Sequence, residues 1–113
     1  MIDLRRPIRY IDANIEFFDV SESDIDKVFV CVANGSGMVN AGILDKDLLY
    51  FYKADQYNNG DIVAANADGE SVVRRFFKDE QGIRLRREIG HGEDTYVSDI
   101  SILGKLIGIQ RKM

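Results

Sequence analysis

The pair Asp68-Gly69 constrains this chain most. It lies between Ile62-Val63-Ala64-Ala65-Asn66-Ala67 and Glu70-Ser71-Val72-Val73-Arg74-Arg75-Phe76-Phe77, two runs rich in apolar and β-branched residues. A two-residue hairpin loop matches the twist of its strands best as a type I′ turn, which needs positive φ at both central residues, and Asp-Gly tolerates that. The spacing predicts a β-hairpin with 62–67 and 70–77 as its arms. The neighbouring segments continue the pattern. Asp79-Glu80-Gln81-Gly82 is a polar turn into Ile83-Arg84-Leu85-Arg86-Arg87, whose alternation suits a strand with one face in water. Val28-Phe29-Val30-Cys31-Val32 is uninterrupted, β-branched and aromatic, which predicts a central strand covered on both faces. Asp47 to Lys53 reads as the following strand, with Asn58-Asn59-Gly60 marking the turn after it. Ile100 to Ile109 reads as the last strand, with Gly104 and Gly108 signalling bulges or close backbone approach and an exposed edge able to pair with another chain. Tyr50, Phe51, Tyr52, Phe76 and Phe77 alternate between strand faces and so divide between core and surface. Helical stripes are scarce; Ser21-Glu22-Ser23-Asp24 is placed to cap one turn through Ile25-Asp26-Lys27. The fold class is mainly β, a sandwich or a partly closed barrel.

Composition narrows the function. With 113 residues, 45% of them hydrophobic, the chain can fill one core and not two, so one domain is expected, spanning 28–113 behind an N-terminal segment at 1–27. The longest apolar run, Val28 to Ala33, falls far short of the roughly 20 residues of a membrane span. Basic residues in Met1-Ile2-Asp3-Leu4-Arg5-Arg6-Pro7 precede no apolar stretch, so the segment does not read as a secretory signal and the expected compartment is the cytoplasm. Fifteen basic residues against 19 acidic ones leave no broad footprint for nucleic acid, and the arginines at 84, 86 and 87 read as a solvated strand face. Cys31, the lone cysteine, excludes an intramolecular disulfide and reads as a small buried hydrophobe. His91, the lone histidine, sits in Gly90-His91-Gly92-Glu93-Asp94, an acidic turn with no second histidine to complete a metal site. Neither a cofactor nor a metal is indicated.

Ordered motifs then carry a resemblance. Gly35-Ser36-Gly37-Met38 follows the first apolar strand, and Gly42-Ile43-Leu44-Asp45-Lys46-Asp47-Leu48-Leu49 follows four residues on. Gly60-Asp61-Ile62-Val63, Asp68-Gly69-Glu70, Val73-Arg74-Arg75 and the glycine-punctuated Ile102 to Gly108 come after them in that order. Together these resemble the LexA-like family of self-cleaving repressors and mutagenesis proteins, whose peptidase folds are related to the signal peptidases. The resemblance implies a LexA C-terminal-domain-like β-clip fold. It also implies a serine before the motif methionine as nucleophile and a lysine on the strand after the Asp-Gly-Glu turn as general base. Those positions here read Gly37 and Arg74. A Ser-Lys dyad needs a hydroxyl and an amine that can lose its proton; glycine has no hydroxyl, and arginine stays protonated. The family's scissile Ala-Gly or Cys-Gly bond, which lies upstream of the strand region, has no match there: Ala13-Asn14 is the nearest small-residue peptide bond of the N-terminal segment, and the chain's one Ala-Gly pair, Ala41-Gly42, follows the first strand.

Three readings follow. The leading one is a catalytically degenerate LexA-like domain that acts by homodimerisation and regulation, as the C-terminal part of a phage- or SOS-type transcriptional repressor. Its dimer edge would be Leu103, Lys105, Ile107 and Ile109, and it would reach DNA only through an attached N-terminal domain. The second is a serine peptidase rebuilt around Ser36, one residue from the nucleophile position, although Lys53, Lys78 and Lys105 have no spacing argument as its base. The third is a stand-alone peptide-binding module whose groove holds a peptide or protein partner, with Arg74 paired to a carboxylate such as Asp45, Asp47 or Glu70.

Overall fold

The structure, a computed structural model, describes residues 26–111. Seven strands form one antiparallel sheet: β1 (Val28–Val32), β2 (Leu48–Tyr52), β3 (Ile62–Ala67), β4 (Glu70–Asp79), β5 (Gly82–Arg87), β6 (Glu93–Val97) and β7 (Ile100–Gln110). Their order across the sheet is β1-β2-β7-β3-β4-β5-β6. A short 3-10 helix, Val39–Ala41, interrupts the loop between β1 and β2. The mainly β fold matches the expectation, and the possible helical turn at 21–27 falls almost entirely outside the described residues.

The Asp68-Gly69 hairpin forms as predicted. Asp68 has φ 48° and Gly69 φ 88°, and β3 and β4 pair in register from Ala67 opposite Glu70 to Ile62 opposite Arg75. Asp68 also ties this turn to the next corner. Its carboxylate accepts hydrogen bonds from the Ser98 and Asp99 amides at 3.2 and 2.8 Å, and its own amide donates to the Asp99 carbonyl at 2.7 Å.

That corner curls the sheet. Only Ser98 and Asp99 separate β6 from β7, so Val97 and Ile100 lie within about 11 Å of each other. A flat sheet in this order would hold β6 and β7 four strand spacings apart, roughly 19 Å. The run β7-β3-β4-β5-β6 therefore rolls into a partly closed barrel. Val63, Ala65, Ala67, Phe76 and Leu85 are buried together in a core with Val72, Ile83, Val97, Ile100 and Ile102 packed against them. A second core joins β1, β2 and the loop after β1 to the rest of the sheet, with Cys31, Met38, Ile43, Leu49, Phe51 and Ala64 buried.

β1 is not central, as its apolar run had suggested; it is the edge strand and pairs among the described residues with β2 alone. Its faces are nevertheless covered, since Val30 and Cys31 are both buried. An apolar run reports the coverage of a strand's two faces, and coverage does not require a hydrogen-bonded neighbour on each side. The centre belongs to β7, which pairs with β3 from Ile100 to Lys105 and with β2 from Lys105 to Gln110. Each pairing contains a bulge, one skipping Leu103 beside Gly104 and one skipping Ile107 beside Gly108. Gly104 also permits close approach, because a Cβ there would lie 2.8 Å from the Phe29 ring. Of the residues expected on a free edge, Lys105 has strand partners on both sides and Leu103 occupies the bulge opposite β3. Ile107 and Ile109 belong to the stretch after Lys105, which no described strand pairs on its β3 side.

Glu93 and Asp94 also depart from the expected turn. The turn is confined to Ile89–Gly92, closed by the Gly92 amide donating to the Ile89 carbonyl at 2.9 Å, and β6 begins at Glu93. Opposite charge holds this polar edge strand to β5: Arg84 and Arg86 reach Asp94 at 2.7 and 2.6 Å, and Arg87 reaches Glu93 at 3.0 Å. Arg84 and Arg86 also lie over the Phe77 ring, 4.2 and 4.7 Å from its centroid.

Candidate functional site

Residues 33–47, which link β1 to β2, form a strap across the sheet. The Asn40 amide donates to the Glu88 carbonyl at 2.7 Å, and the Asn40 side chain donates to the Gly90 carbonyl at 2.9 Å. Met38 is buried beneath the strap, where its sulfur accepts from the Glu88 amide at 3.4 Å. At the near end the Gly35 amide donates to Asp45 at 2.7 Å. The far end is fixed by Asp47, which is only 1% exposed. Its carboxylate takes a two-pronged contact from Arg111 at 2.8 and 2.8 Å and a further bond from the Leu44 amide at 2.8 Å. The hydrogen bond from Arg111 is the largest of the influences that hold this carboxyl below the usual carboxylate range.

Between strap and sheet lies a cavity of about 370 Å³. Its apolar wall is Cys31, Met38, Ile43, Leu49, Ala64, Val73 and Leu103, and its rim carries Gly35, Gly37, Ser71 and Arg74. Because the strap docks on Glu88, Gly37 comes to the end of β5. A Cβ at Gly37 would lie 3.4 Å from Arg87 Nε, 3.5 Å from Arg87 Nη2 and 3.8 Å from Arg74 Nη1. The two positions singled out in the sequence are thus neighbours at the cavity rim. Gly37 is not in the left-handed region, so a small side chain fits there without backbone strain.

Arg74 is half-buried and its Nη1 donates to the Val73 carbonyl at 2.7 Å. Burial first, and then the adjacent Arg87 charge, pull it below an arginine's ordinary value, with Glu70 and Glu93 opposing. No carboxylate of the described residues closes on it. Asp45 is engaged by Gly35 and Asp47 by Arg111, while Glu70 acts on Arg74 only through its field, so the pairing expected with one of these three is not formed. Ser36 is exposed and is absent from the cavity lining, as are Lys53, Lys78 and Lys105. Cys31 lines the cavity as a buried thiol that burial pushes up to about 11, so it stays protonated at neutral pH. His91 is exposed in its turn, and the described residues contain no group of three or more His, Cys, Asp or Glu side chains able to hold a metal ion. No described helix is long and apolar enough to cross a membrane.

Arg87, off the cavity lining but beside Gly37, is the neighbour that sequence reading missed. Its signal was the two-residue turn at Glu80-Gln81, which fixes Arg75 opposite Arg86 and carries Arg74 and Arg87 to adjacent places one step further along.

Residues 2–107 match the family described as Peptidase S24-like. The chain belongs to that family. Among its S24-like relatives it is similar to the LexA repressor of Clostridium botulinum, with 42% identity over 112 residues that cover 94% of this chain and 54% of that one. The LexA repressor of Oceanobacillus iheyensis is 38% identical over 111 residues, or 95% of this chain and 54% of that one. The LexA repressor of Geobacillus kaustophilus is 44% identical over 87 residues, or 76% and 42%. The chain spans about half the length of these curated relatives. It is a LexA-like, Peptidase S24-like domain, and its cavity rim brings together a glycine and an arginine.

Proposed function

We propose that this domain is a catalytically degenerate member of the family that works by association, forming a homodimer and serving regulation in a transcriptional repressor of the phage or SOS type in the cytoplasm. The observation that carries this reading is the meeting of Gly37 and Arg74 at the cavity rim. The nucleophile position has no hydroxyl, and the base position holds a cation without a basic lone pair, so neither half of a Ser-Lys dyad operates. Losing either partner of such a unit removes most of its rate enhancement. Ser36, exposed and off the cavity lining, supports no rebuilt nucleophile. The dimer would form through the open stretch of β7 that holds Ile107 and Ile109, in an isologous strand pairing. Any contact with DNA would be made by a further domain outside this fold.

Two measurements test the reading. A hydroxyl-directed active-site probe should leave the protein unlabelled, and labelling at Ser36 that Ser36→Ala abolishes would overturn it. Sedimentation at micromolar concentration should show a dimer, and monomer alone would overturn the associative part. Gly37→Ser combined with Arg74→Lys should gain cleavage of a family-type Ala-Gly peptide, because the Cβ contacts at position 37 are ordinary van der Waals distances to flexible side-chain ends.

A further inference from the structure

Arg74 and Arg87 converge on the space above Gly37 at the lip of an apolar cavity. Their nearest nitrogens lie 3.4 to 3.8 Å from where a side chain would begin. Two guanidinium groups facing one small space repel each other unless an anion lies between them. Glu93 engages Arg87 only through Nη1, at 3.0 Å, so Nε and Nη2 remain directed at the space. Arg74 has no ion-pair partner among the described residues. We propose that this rim binds the free C-terminal carboxylate of a peptide whose last side chain is apolar and enters the cavity. The inference rests on the non-catalytic reading and names the ligand of that same site.

The placement of charge beside apolar wall selects a chain terminus over an internal acidic residue. An α-carboxylate is one carbon away from the root of its own side chain, so anion and apolar group arrive side by side. Here Arg74 lines the same cavity as Met38, Leu49 and Leu103, and Arg87 lies beside Gly37, which lines it too. An internal Asp or Glu holds its carboxylate at the tip of a side chain and would bring two backbone amides into the same apolar mouth, at a desolvation cost. A carboxylate oxygen in place of the missing side chain would have to move about 0.5 Å toward Arg87 and about 1 Å toward Arg74 to reach charge-assisted hydrogen-bond distance. The cavity, about 370 Å³, has room for the terminal residue.

Fluorescence anisotropy on the full chain tests this with three labelled hexapeptides: Gly-Ser-Ala-Val-Ala-Leu as the free acid, the same peptide as the C-terminal amide, and Gly-Ser-Ala-Asp-Ala-Leu as the amide. The free acid should bind at least about 10-fold more tightly than its amide. Arg74→Gln and Arg87→Gln should each cut that preference to below about threefold, and Arg74→Lys should restore part of it. Equal binding of acid and amide, or no binding of either up to about 1 mM, overturns the inference. So does binding of the internal-aspartate amide as tight as that of the free acid. The wild-type comparison of acid with amide stands even if a variant folds poorly. Equal binding by a dimer that cleaves nothing would remove this inference alone, whereas cleavage of the peptides would remove the reading on which it rests.

Discussion

Arg111 and Arg74 are the same side chain in two opposite settings. Arg111 forks onto Asp47, a carboxylate that is 1% exposed, and donates a further bond to the Gly42 carbonyl at 2.8 Å. Arg74 donates to its neighbour's carbonyl and faces a second arginine across a glycine. Where the fold depends on a cation, it provides a buried carboxylate in matching geometry, and the strap is anchored there. Arg74 has no such partner, so its charge is spare to the fold and open to something else. The difference separates a clasp from a binding surface without reference to sequence motifs.

The comparison can be broken or sharpened by substitution. Arg111→Met should have the largest effect, a loss of stability in denaturant unfolding at neutral pH greater than that of any substitution below, because it leaves the Asp47 carboxylate buried with only the Leu44 amide as partner. Its dependence on pH follows from the lowered Asp47 carboxyl. A depressed carboxyl contributes stability above its unfolded value of about 3.9 that is lost as pH falls. The gap between Arg111→Met and wild type should therefore narrow below about pH 4, and a gap that holds constant down to about pH 2 would show that the clasp works by packing alone. Asp47→Asn should cost less, about 1 to 2 kcal/mol, since it removes the buried charge itself and keeps an acceptor for the Leu44 amide. Arg74→Met should shift stability by less than about 1 kcal/mol in either direction, because no carboxylate is orphaned and the stem packs similarly. A loss as large as that of Arg111→Met would erase the distinction. Gly37→Ser should be smallest, within about 0.5 kcal/mol by thermal melting, given its ordinary backbone and unclashing surroundings.

The barrel half of the fold was far more legible than the site. Asp68-Gly69 and Glu80-Gln81 are local turns whose backbone needs select their residues, so β3, β4 and β5 could be read strand by strand with their pairing. β6 was hidden because an edge strand held by ion pairs carries no apolar alternation, and its charges read as a turn. The centrality of β7 was hidden because strand order is decided by contacts distant in sequence, which a run of apolar residues does not encode. Gly37 and Arg74 were picked out by resemblance, and their adjacency needed the docking of Asn40 on Glu88 and Gly90. Arg87 needed the register of β5 as well as the strap. Nothing local announced the Asp47-Arg111 clasp, whose partners are separated by 64 residues.

The central place of β7 governs how the chain is made. Synthesis delivers β1 to β6 before the strand that unites them, so β2 and β3 both leave the ribosome with one edge awaiting a neighbour. Folding of the whole sheet is therefore a late event, coupled to completion of the translated strand and slowed by its long-range pairings. A chain stopped after Asp99 would retain the Asp68-Gly69 hairpin and the β1-β2 ladder, each with an unsheltered edge, and the two would have no common strand to join them. Such a fragment is a candidate for aggregation and for disposal by the cell's proteases, which makes the C-terminal strand the checkpoint of the molecule's assembly.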